Sequence, residues 1–162
     1  MKIPYSVGFG YDVHRFTMGK PLFLCGLEVP SDYGLEAHSD GDVALHAIMD
    51  ALLGAAALGD IGYHFPPSDP RYKDACSLDL LRHVKSLLDA EGFLIGNIDL
   101  TIVAEQPKIA PHIPLMKEKM ASILGSDITL SIKATTSEKM GFVGREEGIV
   151  AYAVALLVRN ES

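Results

Sequence analysis

A chain of 162 residues with 48% apolar side chains is long enough for one domain with its own core and needs no disulfide framework. Fourteen basic against twenty-one acidic residues leave a formal charge of −7, which excludes a general nucleic-acid or anionic-membrane surface. No run approaches the ~18 uninterrupted apolar residues of a membrane span, and the two cysteines, Cys25 and Cys76, form no C-x-x-C pattern, as expected of free thiols in a reducing cytoplasm.

The first predicted strand contains Gly10-Tyr11-Asp12-Val13-His14. Successive strand side chains alternate faces, so Asp12 and His14 point the same way, on the face shared with Gly8 and Gly10. Val7, Phe9, Tyr11 and Val13 fill the other, leaving the two ligands on a cleared surface that something bulky should cover. One Asp and one His are too few for a divalent metal, since an open zinc site takes three protein ligands. The nearest third ligands are His38, before the next helix, and His46, inside it. The motif lies so near Met1 that no signal or transit segment is expected before it, which fits a bacterial cytosolic protein or an organellar chain after processing.

Leu22 to Val29 reads as a short strand able to form a hairpin with the first, after a turn at 17–21 and before Pro30. Ser39 or Asp40 can cap a helix from about Asp42 to Leu58, closed by Gly59, on which Asp42, His46 and Asp50 share a face. The three prolines of 61–71 predict a loop long enough to act as a lid. Ser77 is expected to cap a second helix with Leu80, Leu81, Val84, Leu87 and Leu88 as its apolar stripe and Gly92 after its end. Ile98 to Ala104 alternate as a strand, Pro111 or Pro114 can open a third helix stopped by Gly125, and Ile128 to Ala134 form another strand. Gly148 to Val158 permits a helix by its alanines, but Val150, Tyr152, Val154, Leu156 and Val158 alternate with small residues and predict a strand.

The resulting order β-β-α-α-β-α-β-β implies a single α+β domain, a mixed β-sheet with helices packed on one face. The sheet's second face then needs a cover, which a symmetric oligomer supplies. Thr135, Thr136, Ser137 and Glu138 follow a strand end, where hydroxyls and backbone N–H groups hold phosphate, and Lys108 follows another. A metal beside such loops points to phosphoryl chemistry.

GYDVHRF, HSDGDVALHAIMDALLGAAALGDIG, HFPPSDPRYK, DLTIVAEQPKIAPHI and IKATTSEKMGFVGREEGI, in this order along nearly the whole chain, resemble the 2-C-methyl-D-erythritol 2,4-cyclodiphosphate synthase family of non-mevalonate isoprenoid biosynthesis. The resemblance implies a homotrimer with sites between neighbours. It also implies Asp12, His14 and His46 as ligands of one Zn²⁺ per subunit, and a Mg²⁺ or Mn²⁺ on the substrate diphosphate. The implied reaction closes 4-diphosphocytidyl-2-C-methyl-D-erythritol 2-phosphate into the cyclic diphosphate and expels CMP.

By the same resemblance His38 and Ser39 meet the 2-phosphate end, with Asp12, Val13 and His14 beside the substrate, Asp60, Ile61 and Gly62 on the erythritol, and Phe65, Pro66, Pro67, Ser68 and Asp69 nearby. Ala104, Glu105, Gln106, Pro107, Lys108, Ile109 and Ala110 hold cytosine, and Thr135, Thr136, Ser137 and Glu138 hold the diphosphate. His38 and Thr136 are the implied catalytic positions, and Phe142 and Arg145 lie at the substrate site and beside a central cavity that takes isoprenoid diphosphates. Tyr11 and Ser137 stand where relatives often carry Phe and Thr, and neither exchange removes a ligand. Two other readings are a catalytically idle metal- and nucleotide-binding trimer and a hydrolase releasing a linear phosphate.

Overall fold

Small residues at one end of the chain meet small residues at the other, and the fold is built on that meeting. The computed structural model describes residues 2–160. Its elements are β1 (Tyr5–Thr17), β2 (Leu22–Leu24), β3 (Leu27–Val29), β4 (Gly34–Leu35), α1 (Val43–Ala55), α2 (Ile61–His64), α3 (Ser77–Ala90), β5 (Phe93–Val103), α4 (Ile113–Leu124), β6 (Thr129–Thr135), α5 (Gly141–Gly144) and β7 (Gly148–Arg159). Five strands form one mixed sheet in the order β4-β1-β7-β5-β6, parallel only between β5 and β6.

β1 and β7 pair antiparallel from Tyr5 opposite Val158 to Arg15 opposite Gly148. Gly8 and Gly10 on β1, with Ala151, Ala153 and Ala155 on β7, make a flat floor for α1. A Cβ on Gly10 would stand 1.8 Å from the Ala47 carbonyl oxygen, so only glycine lets the helix backbone sit this low. Overpacking at such a point costs about 1–3 kcal/mol, and here it would also lift the helix that carries His46. The bulky cover anticipated over the glycines is therefore α1 itself. Being covered by the sheet below and α3 above, α1 is buried nearly all round, and Leu45, Ile48 and Leu52 have no exposed surface. Leu81, Val84 and Leu88 of α3 are buried too, while α4 connects the parallel pair β5 and β6.

The opposite face of the sheet is apolar and uncovered. Val7 and Phe9 are 67% and 62% exposed, and Tyr152 packs its ring 5.5 Å from Tyr11. Among the described residues no helix is long and apolar enough to cross a membrane.

Several boundaries differ from the sequence reading. Residues 22–29 do not pair with β1, whose edges are taken by β7 and by Phe16 opposite Leu35 of β4. They fold on themselves as a β2–β3 hairpin whose turn, Cys25-Gly26, has φ of 51° and 76°, the two positive values of a type I′ turn. The cap of α1 is Asp42, not Ser39 or Asp40. Its carboxylate is fully buried and accepts N–H groups from Leu45 at 2.9 Å, Cys25 at 3.0 Å and Gly26 at 2.7 Å. One carboxylate thus ties the hairpin turn to the helix start, and the helix ends at Ala55, short of Leu58. Residues 61–71 are not a plain loop, since they hold α2 and a 3₁₀ turn at Pro70–Tyr72. Ser77 does not cap α3, because its hydroxyl is given to Asp40 instead. A short helix, α5, also interrupts the glycine-rich run before β7.

Candidate active site

β1 and α1 bring Asp12, His14 and His46 together. Asp12 Oδ2 lies 2.8 Å from His14 Nε2 and 3.1 Å from His46 Nδ1, and the two imidazole nitrogens are 3.2 Å apart. A tetrahedral zinc with bonds near 2.0–2.1 Å has ligand edges of ~3.3 Å, so this triangle fits a metal with little movement. The donor set, two imidazoles and one carboxylate, is also one that open zinc sites use. His14 donates Nδ1–H to the carbonyl of Glu36 at 3.0 Å, and a carbonyl can only accept, so His14 Nε2 is left with its lone pair toward the cluster.

The electrostatics favour a cation here. Burial opposes the charged form of Asp12, but in the metal-free protein His14 and His46, when protonated, donate to it and outweigh burial, lowering the carboxyl to about 2. Burial pulls the His46 imidazole down, whereas the hydrogen bond to Asp12 and the charges of Asp12, Asp42 and Asp40 raise it above its ordinary value. Burial and the Asp40 charge push Asp42 up to about 6, against its N–H donors. Asp50, on the same face of α1, accepts the N–H of Ile61 at 2.8 Å and fixes the start of α2; burial and the charges of Asp60 and Asp12 raise its carboxyl.

A cavity of about 270 Å³ opens on the cluster, lined by Asp12, His14, His38, Ser39, His46, Ile61, Gly62, Phe65 and Pro67 together with Tyr72 and Leu80. Phe65 is nearly buried, edge-on to Tyr72 and His83, and so anchors this wall. Asp60 caps α2 by accepting the Tyr63 N–H at 2.9 Å, and Asp69 is held by Arg71, with Pro66 and Ser68 in the turn between.

The other predicted segments meet elsewhere. The C-terminal ends of β5 and β6 place 104–110 beside 135–138, with the Ala104 N–H donated to the Thr135 carbonyl at 3.0 Å. Glu105 Oε1 accepts the N–H groups of Ser137 and Lys139, each at 3.0 Å, and the Glu138 N–H is donated to Thr136 Oγ1. The N–H groups of Ser137 and Glu138, expected to be free for phosphate, are thus bound within the loop, and the Thr136 hydroxyl keeps its proton to donate outward. Thr135, Thr136, Glu138 and Lys108 are exposed. Gln106, Pro107 and Arg145 line a separate cavity of about 720 Å³, and Arg145 pairs with Glu147 at 2.7 Å. Phe142 borders a third, with Val13 and His14. No residue of 104–110 or 135–138 lines the cavity of the metal cluster.

Asp40 and Ser77 were missed as site residues and read only as helix caps. They stand behind His46, 37 residues apart in sequence, with no local pattern to join them.

The YgbB family profile matches residues 5–158. A 2-C-methyl-D-erythritol 2,4-cyclodiphosphate synthase of Symbiobacterium thermophilum is 64% identical over 152 residues, 93% of this chain and 97% of that one. The bifunctional IspDF of Campylobacter jejuni superposes with a TM-score of 0.90 at 40% identity, over 96% of this chain but only 42% of that longer one. The CDP complex of IspF from Plasmodium falciparum gives a TM-score of 0.84 at 30% identity, over 99% and 100% of the two chains.

Proposed function

The chain belongs to the YgbB family and has its 2-C-methyl-D-erythritol 2,4-cyclodiphosphate synthase activity, a lyase step of isoprenoid biosynthesis, and on that premise we propose how its residues divide the work. The substrate is 4-diphosphocytidyl-2-C-methyl-D-erythritol 2-phosphate, whose own 2-phosphate attacks the β-phosphorus and releases CMP, so no protein nucleophile is required. The observation that carries this reading is the Asp12, His14 and His46 triangle, whose edges of 2.8 to 3.2 Å need to open only slightly to reach those of a zinc tetrahedron.

Those three residues would hold Zn²⁺, and Glu138 would contribute to a Mg²⁺ or Mn²⁺ carried in with the diphosphate. Bound there, such ions would supply orientation and polarisation of the β-phosphate and charge neutralisation for the departing CMP. The remaining work is positioning and hydrogen bonding by the chain. His38 and Ser39, on the cavity wall, meet the 2-phosphate end, and Ile61, Gly62, Phe65 and Pro67 lie against the erythritol, with the rest of 60–62 and 65–69 behind them. Thr136 donates its hydroxyl to the diphosphate, with Thr135 and Ser137 beside it, while the backbone of 104–110 takes cytosine. The CDP complex of the Plasmodium falciparum relative supports a cytidine nucleotide as the ligand.

Each complete site forms between two chains of a cyclic homotrimer. Two observations support this: the metal cavity lacks the nucleotide segments of its own chain, and the face bearing Val7, Phe9, Tyr152 and Val154 is apolar and open. Phe142 and Arg145 then border the central channel, where Arg145 can anchor the diphosphate of an isoprenoid. Incubation with the cytidyl substrate and divalent metal tests the function: ³¹P NMR should show CMP and the cyclic diphosphate. A linear phosphate, or no turnover with metal bound, would contradict it.

A further inference from the structure

His46 offers Nδ1 to the metal triangle, and its other nitrogen points into the protein. Nε2 lies 3.1 Å from Ser77 Oγ and 3.2 Å from Ser39 Oγ. Ser77 is fully buried, and its hydroxyl is 2.5 Å from Asp40 Oδ1 while its backbone N–H is donated to Asp40 Oδ2 at 2.8 Å. A carboxylate can only accept, so the Ser77 proton belongs to Asp40 and the Ser77 oxygen is left to accept from His46. Asp40 is itself fixed, because its Oδ1 also accepts the Asp42 N–H at 3.1 Å at the start of α1.

We infer that Ser77, oriented by Asp40, is a positioning residue for the metal centre: it accepts the His46 Nε2–H and thereby holds Nδ1 deprotonated and aimed at the metal. This rests on the metal-centre reading above. Ser39 is the rival acceptor, but its oxygen already takes the Gly41 N–H at 3.3 Å, and it stands at the wall of the substrate cavity. The relay also links two ends of the fold. β1 supplies two ligands, α1 the third, and the first residue of α3 sets how that third ligand is presented.

Outer partners of this kind are worth about 10–100-fold in metal affinity. The test measures zinc binding by chelator competition in wild type, Ser77→Ala and Ser39→Ala, and follows the His46 imidazole N–H by NMR in the zinc-loaded proteins. Ser77→Ala should bind zinc about 10–100-fold more weakly, and its imidazole proton should move upfield and exchange faster with water. Ser39→Ala should stay within about threefold of wild type. Unchanged affinity and an unchanged imidazole signal in Ser77→Ala would overturn the relay alone, as would an equal loss in Ser39→Ala. A wild type that takes up no zinc would overturn the metal-centre reading and the relay with it. Should Ser77→Ala not fold, the wild-type imidazole proton decides: sheltered and downfield supports the relay, and rapid exchange refutes it.

Discussion

Asp12, His14 and His46 stand on a long strand and a buried helix, and both imidazoles have a hydrogen-bond partner behind them. Thr135, Thr136 and Glu138 stand on an exposed turn at a strand end, shaped by Glu105 and by their own hydroxyls. The first region is preorganised within one chain. The second presents hydroxyls and a carboxylate outward, away from any metal ligand of its own chain. The contrast teaches that the rigid cluster suits the fixed angles of a metal, while the exposed turn suits the arrival of a substrate and, in the proposed trimer, of a neighbouring subunit.

The comparison can be broken from either side. His46→Ala should have the largest effect, removing bound zinc and lowering turnover by at least about a thousandfold, with the fold retained; metal analysis and circular dichroism check the two parts. Thr136→Val should lower kcat by about 10²–10³, the usual cost of one transition-state donor, while zinc content stays at the wild-type level. If zinc fell as well, the two regions would not be independent.

Glu105→Ala sharpens the distinction further. Losing the acceptor for two backbone N–H groups should loosen 137–139, raise KM for the cytidyl substrate about tenfold and leave kcat within a few-fold. Steady-state kinetics separate these outcomes.

The smallest effect is on pH dependence. With the Asp12 carboxyl lowered to about 2, its contribution to the metal-free protein is fully present above about pH 4 and is lost as pH falls toward 2, about 2 kcal/mol in urea unfolding. His46 has the opposite sign. Its imidazole is raised, so its stabilisation of the metal-free fold is complete below the ordinary imidazole value and disappears as pH rises through the raised one. Zinc competes with that proton, so zinc affinity should increase over the same rise in pH.

The long strands and the Asp12–His14 pair were legible because they rest on short-range periodicity, whereas the choice of His46 over His38 as third ligand rested on the family resemblance. Asp12 and His14 are two apart on a strand, and alternation alone also distinguished a strand from a helix at 148–158, which the structure extends to Arg159. The meaning of that alternation was harder to read, since in the middle of β7 Ala151, Ala153 and Ala155 are buried while Tyr152 and Val154 are exposed. The β2–β3 hairpin was hidden because its turn uses Cys25 at positive φ, where Asn or Asp would have signalled it. The caps were misread because Ser39, Asp40, Asp42 and Ser77 all have capping chemistry, and only tertiary structure shows that Asp42 caps α1 while Asp40 and Ser77 serve each other. The Glu105 clasp spans more than thirty residues and had no local pattern.

The central claim is that a working site joins the metal region of one chain to the nucleotide region of its neighbour. Refolding His46→Ala together with Thr136→Val tests it most directly, since each variant alone lacks one region. In any mixed cyclic trimer one junction of three pairs an intact metal region with an intact nucleotide region, and equal random mixing makes about three-quarters of trimers mixed, so activity should return to about a quarter of wild type. Mixed trimers, verified by mass spectrometry, that stay inactive would contradict the shared site.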